Sequence, residues 1–376
     1  MVLLRMATLT QCRAGSIESI GHPLPIKRTD AGALRPLMKK FLFGLALLAP
    51  LAMQAVEQNS LPIRSSDAPE LCWDVDASLA NGYRNFRTTN DPLASKLGEA
   101  APNAAGLASL RESGSSEFTV AGLKAMLRKT TGPVTIFDLR QEDHGFVNGE
   151  PISWYASNNW ANVGKSQPEV ISEEAGLIGG FRVGSVIRVS SDKAKKGDGP
   201  AASRQESVSD AETEQQVVSS LGIGYVRIAV SDHCRPTDEE VDRFIAEVRK
   251  LPAGAWAHFH CRAGKGRTTT FMALYDMLRN ARTVSLLDID RRQSDLVGDY
   301  DLLGKEGETG ARQGVAAARA AFVRMFYDYA KANPDGRPLL WSEWLKRGSR
   351  NRLTDNVRVE TEANPSLMEL HADPIR

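Results

Sequence analysis

The sequence predicts an α/β sandwich, and three observations carry that prediction. Stretches with strand character, Val134 to Leu139, Tyr225 to Val230 and Ala255 to His260, alternate with stretches whose apolar residues recur at helical spacing. A helix start is written at Thr237 and Glu240, a capping box ahead of Val241, Phe244, Ile245 and Val248. The run His260-Cys261-Arg262-Ala263-Gly264-Lys265-Gly266-Arg267-Thr268 then joins the last of those strands to a helix over 269–279, a strand-to-helix turn of the kind layered α/β folds contain.

Taken in chain order, residues 56–115 offer few periodic segments, although Gly82-Tyr83-Arg84-Asn85-Phe86-Arg87-Thr88 leads into the first clear element. Phe118 to Lys129 is predicted helical and precedes the strand at 134–139. An excursion over about 141–220 follows, with a strand from Gly184 to Ser190 and then a polar stretch, Ser191 to Glu214. Residues 221–345 supply strand, loop, helix, strand, turn and several helices. The longest runs from Arg312 to Ala332, with Val315, Phe322, Val323 and Phe326 along its apolar side. Trp341 and Trp344 read as core anchors, and the tail 348–376 is expected to be loosely ordered.

The chemistry sits at the cysteine turn. Five residues, two of them glycine, separate Cys261 from Arg267. Unpaired amides of such a turn and of the first helical residues converge with the positive end of the helix dipole, which favours an oxyanion. The same field favours a thiolate over a thiol and makes Cys261 nucleophilic. Arg267 offers a planar fork for two phosphate oxygens. A nucleotide-binding P-loop fails on spacing, because Gly266 follows Lys265 where that motif needs Ser or Thr, and Phe259 and His260 occupy the place of its leading glycine. A merely structural cysteine before a plain glycine turn is the bland alternative. The coincidence of cysteine, two glycines, arginine and threonine at one junction argues against it.

Two upstream segments add polar loops after strands. Val230-Ser231-Asp232-His233-Cys234-Arg235-Pro236-Thr237 carries an aspartate braced by a proline and a capped helix, although alone Asp232 reads equally as a turn residue. Val134 to Leu139 runs into Arg140-Gln141-Glu142-Asp143-His144-Gly145.

These segments resemble the Cys-x5-Arg phosphatase superfamily, which includes the protein tyrosine phosphatases. HCRAGKGRT is similar to loops that act on inositol lipids, where a lysine meets a highly charged headgroup. Thr268-Thr269-Thr270 in place of Thr-Gly, the Asp232-His233 pair, and the stretch from Asp138 through Trp154-Tyr155 to Asn159-Trp160-Ala161-Asn162 narrow the likeness. The chain resembles the bacterial protein-tyrosine-phosphatase-like inositol polyphosphate phosphatases, or cysteine phytases.

That resemblance implies a phosphatase domain over 56–347 with a central, mostly parallel sheet flanked by helices, and a small partial β-barrel formed by the insertion at about 141–220. It implies stepwise hydrolysis of inositol polyphosphates such as inositol hexakisphosphate through a phosphocysteine on Cys261, with Arg267 holding phosphoryl oxygens, Asp232 as general acid and Thr268 assisting the sulfur. His233 then orients or binds substrate, and Arg140, on a rigid strand exit, is a phosphate ligand. His144, His260, Arg262, Ala263, Gly264, Lys265 and Gly266 complete the expected pocket. Lys305, Arg312 and Arg319 are candidates on its C-terminal side, with a solvated helix face as the alternative. Neither metal nor cofactor is implied. A protein tyrosine, dual-specificity or phosphoinositide phosphatase is the competing enzyme, disfavoured by Lys265 and the Asp-His pair. A non-catalytic phosphate-binding module is disfavoured by intact Cys261, Arg267 and Asp232.

Composition sets outer bounds. The 376 residues, 42% hydrophobic and 25% charged, suffice for one substantial core with an insertion. A formal net charge of +1 gives no overall pull toward nucleic acid or anionic membrane, so attraction for a polyanion has to be local. Met38-Lys39-Lys40, Phe41 to Ala49 and Met53-Gln54-Ala55 have the charged, apolar and small-residue regions of a secretory signal. The reading takes 1–37 as lying upstream of the true start, 38–55 as a cleaved signal, and the remainder as a bacterial periplasmic or secreted protein without stable membrane association. Beyond residue 55 stand Cys72, Cys234 and Cys261, which excludes a dense disulfide framework and leaves pairing between them open.

Overall fold

A computed structural model describes residues 64–75, 79–93, 100–191, 203–298, 300–304 and 311–348. The signal at 38–55, the segment 1–37, Lys305 and the tail beyond 348 lie outside the described residues.

In chain order the strands are β1 (Glu70–Trp73), β2 (Arg87–Thr88), β3 (Glu112–Ser116), β4 (Val134–Arg140), β5 (His144–Val147), β6 (Glu150–Tyr155), β7 (Val186–Ser190), β8 (Ser203–Ser207), β9 (Ala211–Glu212), β10 (Gly224–Val230) and β11 (Trp256–Cys261). The helices are α1 (Val120–Leu127), α2 (Gln167–Gly179), α3 (Glu214–Ser220), α4 (Asp238–Lys250), α5 (Gly266–Asn280), α6 (Leu286–Val297) and α7 (Ala311–Ala332). A last helical segment covers 341–348.

The central sheet has the order β10-β4-β11-β3-β2. Its neighbours are parallel except β2 against β3, as expected of the mostly parallel core. β11 and β4 are buried on both faces, and the period of two sorts their side chains. Phe137, Leu139, Ala257, Phe259 and Cys261 enter a core with Val241, Phe244, Phe271 and Phe322 of the helices. Val134, Ile136 and Trp256 enter a second core with Leu123, Met126, Val217 and Val218 of α1 and α3. The parallel register sets His260 opposite Asp138, so these two polar residues share one face, and that face is the one opposite Cys261.

The second sheet runs β8-β7-β1-β6-β5-β9, antiparallel throughout except between β1 and β7. β1 derives from the stretch with few periodic segments, so the insertion alone does not build this sheet. The expected partial barrel is not confirmed: the described pairings form an open sheet that ends at β8 and β9 without closing.

Local signals decide the element ends. Thr237 accepts from Glu240 N and the Glu240 side chain reaches back, so α4 starts where the capping box predicts. Similar boxes at Ser166/Glu169 and Thr213/Gln216 start α2 and α3, two helices that the excursion was not expected to hold. β3 is fully buried yet reads Glu-Ser-Gly-Ser-Ser, with no apolar residue to betray it. It tolerates this composition because α5 packs directly on it: a Cβ at Gly114 would meet Met272 Sδ at 2.6 Å. Val315, Phe322, Val323 and Phe326 are buried as predicted, as is Trp341, which stacks on Trp344.

Candidate active site

The cysteine turn is shaped from behind. Glu117 N donates to Arg262 O at 3.2 Å, Asn85 Nδ2 to Ala263 O at 2.8 Å and Arg87 Nη1 to Gly264 O at 2.7 Å. A planar trans peptide that turns its carbonyl outward turns its N–H inward, so three successive amides face the concave side above Cys261. Gly264 has φ +72, and a Cβ there would lie 2.3 Å from Ser116 N and 2.4 Å from Ser115 C, which reserves the position for glycine. Burial lowers the Arg87 guanidinium to about 10 against the attraction of Cys261, so it stays cationic behind the loop at neutral pH.

Cys261 ends β11, and Thr268 Oγ1 on the first turn of α5 donates to its sulfur at 3.2 Å. Arg267, on the same turn, is gripped by Glu142 through two contacts, Nη1 to Oε2 at 2.6 Å and Nη2 to Oε1 at 2.9 Å. Val230 O takes a further Nη1 contact at 3.1 Å, while Nε finds no acceptor. The donors left for ligand oxygens are therefore Nε and the second Nη2 hydrogen, the latter flanked by Asp232 Oδ1 at 3.3 Å. Burial opposes the Arg267 charge, but Asp232 and Glu142 outweigh it and hold the guanidinium protonated.

Asp232 closes the constellation. Its Oδ1 lies 3.3 Å from Arg267 Nη2, and its Oδ2 accepts from Asn159 Nδ2 at 2.8 Å. Trp160 Nε1 donates to Asp232 O at 2.9 Å, and Arg319 Nη1 to His233 O at 3.0 Å, so three elements fix the loop. His233 sits in the left-handed region at φ +65, a conformation this bracing sustains. Burial raises the Asp232 carboxyl, but Arg267, His233 and the Asn159 hydrogen bond together hold it below the usual carboxylate range. Neighbouring Cys234 is pushed up to about 12 by burial and by Asp232, so it stays a thiol, and no disulfide forms among the described residues.

The loop residues Arg262, Ala263, Gly264, Lys265 and Gly266 surround this bowl, with Ala263 and Lys265 exposed. Arg262 Nε reaches Asp74 Oδ1 at 2.8 Å. Three expected pocket residues are elsewhere. Arg140 is fully buried on the opposite face of the sheet, its Nη1 held by Asp74 at 2.8 Å and Glu117 at 2.6 Å and its Nε by Glu142 at 3.0 Å, while Nη2 finds no acceptor among the described residues. His260 lies in the same layer, 2.8 Å from Glu214, and burial opposed chiefly by Glu214 leaves it raised to about 9. His144 contacts Asp138 and Glu214, each at 3.2 Å, and is likewise buried. Alternation along the strands could have separated Arg140 and His260 from Cys261, since both share the parity of Asp138. Arg312 is exposed on α7.

Histidine and carboxylate donors converge twice in that layer, at Glu117, Glu214 and His260 and at Asp138, His144 and Glu214. Arg140 on Glu117 and Arg227, 2.7 Å from Asp138, already supply cations there, which makes it an ion-pair web rather than a ligand set awaiting a metal. Glu142, Asn85, Arg87 and Asn159 have no role in the sequence reading. Their only signal is their place in the Gly82 to Thr88, Asp138 to Gly145 and Asn159 to Asn162 segments.

A family model described as PTP-like phytase, with inositol hexakisphosphate in its description, matches residues 182–279. Among solved structures, a PTP-like phytase from Bdellovibrio bacteriovorus is 40% identical, with a TM-score of 0.63 over 76% of this chain and 96% of that one. The PTP-like myo-inositol phosphatase from Mitsuokella multacida, solved with myo-inositol-(1,3,4,5)-tetrakisphosphate, is 34% identical with a TM-score of 0.68, over 79% of this chain and 52% of that one. The effector protein hopD2 of Pseudomonas syringae pv. tomato is 35% identical over 270 residues. That match takes in 69% of this chain and 56% of the effector, so the chain spans little more than half the effector's length.

Proposed function

From the chain's membership of the PTP-like phytases, a family of cysteine-dependent phosphatases, we propose that it removes phosphate stepwise from inositol polyphosphates such as inositol hexakisphosphate. The observation that carries this reading is the bowl itself, three inward amides and the Nε of Arg267 around one cysteine, with a braced aspartate at its rim.

In the first step the Cys261 thiolate attacks phosphorus in line. A sulfur–phosphorus bond forms and the bond to the inositol oxygen breaks. Arg267 and the loop amides hold the equatorial oxygens as charge redistributes. Asp232 gives its proton to the departing oxygen, which matters because an inositol alkoxide is a poor leaving group. A carboxyl held low by Arg267 is ill suited to this until the phosphate arrives, when the bound anion offsets Arg267 and raises Asp232. In the second step Asp232, now a carboxylate, takes a proton from water as the water attacks the phosphocysteine. The Thr268 hydroxyl stabilises the thiolate that leaves.

Substrate breadth is assigned to Lys265 and His233, which border the bowl, while Arg140, His144 and His260 support it from within. Residues 38–55 are proposed to export the chain, a reading that the secretory pattern and the effector relative both favour. A second reading, action on a phosphorylated protein, comes from the wider Cys-x5-Arg likeness of the cysteine loop. Phosphate release from inositol hexakisphosphate, a phosphotyrosine peptide and an inositol lipid, with Cys261→Ser as the control, separates the readings. Faster turnover of the peptide would discard the first.

A further inference from the structure

A cleft of about 740 Å³ lies at the end of the central sheet away from the catalytic loop. It is lined by the turn that leads into β11, whereas Cys261 ends that strand, and by Arg279 in the last turn of α5, whose first residue is Gly266. At 1.5 Å per helical residue the two ends of α5 stand about 20 Å apart, so this cavity is separate from the catalytic bowl. Its size is that of a small-molecule site.

Its charge is one-sided. Arg111, Arg249, Arg279 and Arg337 line it, with Asp335 the sole carboxylate and no lysine among the lining residues. Little of this donor capacity is used. Asp335 pairs with Arg279, Arg111 Nη1 donates to Gly254 O at 3.2 Å, and Arg249 Nη2 reaches Leu339 O at 3.5 Å. Each guanidinium carries five N–H groups, so most remain available. One is conspicuous: Arg249 Nε is buried and has no acceptor among the described residues. A buried guanidinium nitrogen lacking its acceptor is the mark of a missing anion or water, and four forks around one concavity favour the anion.

We propose that this cleft is a second anion site, taking a small molecule with several phosphate groups. Arginine in place of lysine selects oxyanions that present two coplanar oxygens to a fork. Cation-rich concavities also attract acidic peptides, but the cleft concentrates four forks within one compact cavity, which matches clustered phosphates better than carboxylates spaced along a chain. The inference stands apart from the catalytic reading.

The test uses the full chain carrying Cys261→Ser, titrated calorimetrically with inositol hexakisphosphate, with inorganic triphosphate and with a polyglutamate peptide. The comparison protein adds Arg111→Gln and Arg337→Gln, both exposed positions, with matched melting curves confirming that the fold is kept. The expected result is a second binding event, beside the one at the catalytic bowl, that weakens at least tenfold in the double variant while the bowl's own event is kept. Turnover of a small aryl phosphate by the chain with native Cys261 should be unchanged by the same two substitutions. If the pair of substitutions lowers the melting curve, Arg337→Gln alone is read instead, with an expected threefold or greater loss. A second binding event that survives the substitutions, the absence of any event beyond the one at the catalytic bowl, or a cleft that takes polyglutamate in preference to both phosphates, overturns the proposal.

Discussion

Glu142 holds Arg267 end-on with both carboxylate oxygens, at 2.6 and 2.9 Å, and thereby leaves Nε without an acceptor among the described residues. The pair is buried, and Arg140 reaches the same carboxylate at 3.0 Å, so one glutamate ties Arg267 to the ion-pair layer beneath the sheet. Burial pushes Glu142 up, but Arg267 and Arg140 overcome it and keep the group ionised far below the usual carboxylate range.

Glu142→Gln should therefore release Arg267 from its orientation while keeping the volume. We expect kcat/KM to fall about 100-fold on any phosphate monoester, the usual scale for losing a preorganised oxyanion donor. Parallel losses on inositol hexakisphosphate and on an aryl phosphate are required, because every substrate presents the same phosphoryl oxygens. A loss confined to one of them would contradict the positioning role.

Asp232→Asn tests acid catalysis. The variant should slow inositol phosphate hydrolysis far more than hydrolysis of an activated aryl phosphate, whose leaving group needs little protonation. The free-enzyme carboxyl lies low, so the protonated fraction shrinks as pH rises, and kcat/KM for the inositol phosphate should decline from acid toward neutral pH. That decline should vanish in the variant. A pH–rate series on both substrates reads both effects.

Lys265 and Arg140 should behave oppositely despite equal charge. Lys265→Ala, at an exposed loop position, should raise KM for inositol hexakisphosphate and leave an aryl phosphate almost unaffected, and added salt should mimic the change because exposed contacts are screened over about 8–10 Å. Arg140→Ala instead strips a cation from three buried carboxylates and should cost about 3–5 kcal/mol of stability. Denaturant titration beside steady-state kinetics distinguishes the two.

His260 makes stability depend on pH. Its folded value is raised to about 9 from an ordinary 6.5, so its contribution is complete below about 6.5 and is lost as pH climbs through 9. Unfolding free energies from urea titration should fall between pH 6.5 and 9.5 by an amount on the order of 3 kcal/mol. His260→Gln should begin lower and vary less over that window. A flat wild-type profile would falsify the cationic assignment.

Much of the fold was legible because β4, β10, β11, α4 and α7 announce themselves by apolar periodicity and capping chemistry. β3 did not, since a buried strand of glutamate, serine and glycine carries no periodic signal, and its burial follows from α5 lying directly upon it. β1 was equally silent, four residues whose partners, β6 and β7, come much later in the chain.

The sequence by itself determined the cysteine turn, the glycine its geometry demands, the arginine that follows and the aspartate loop, because each is a local spacing with its own chemistry. Tertiary structure alone decided which charges serve the substrate and which serve the fold. Strand parity and the β4–β11 register send Arg140 and His260 to the face of the sheet opposite Cys261, and β5 of the second sheet brings His144 into the same layer. There, in low dielectric, an unpaired charge is costly, so carboxylates from β1, β3, β4, α2 and α3 regions claim them before any phosphate can.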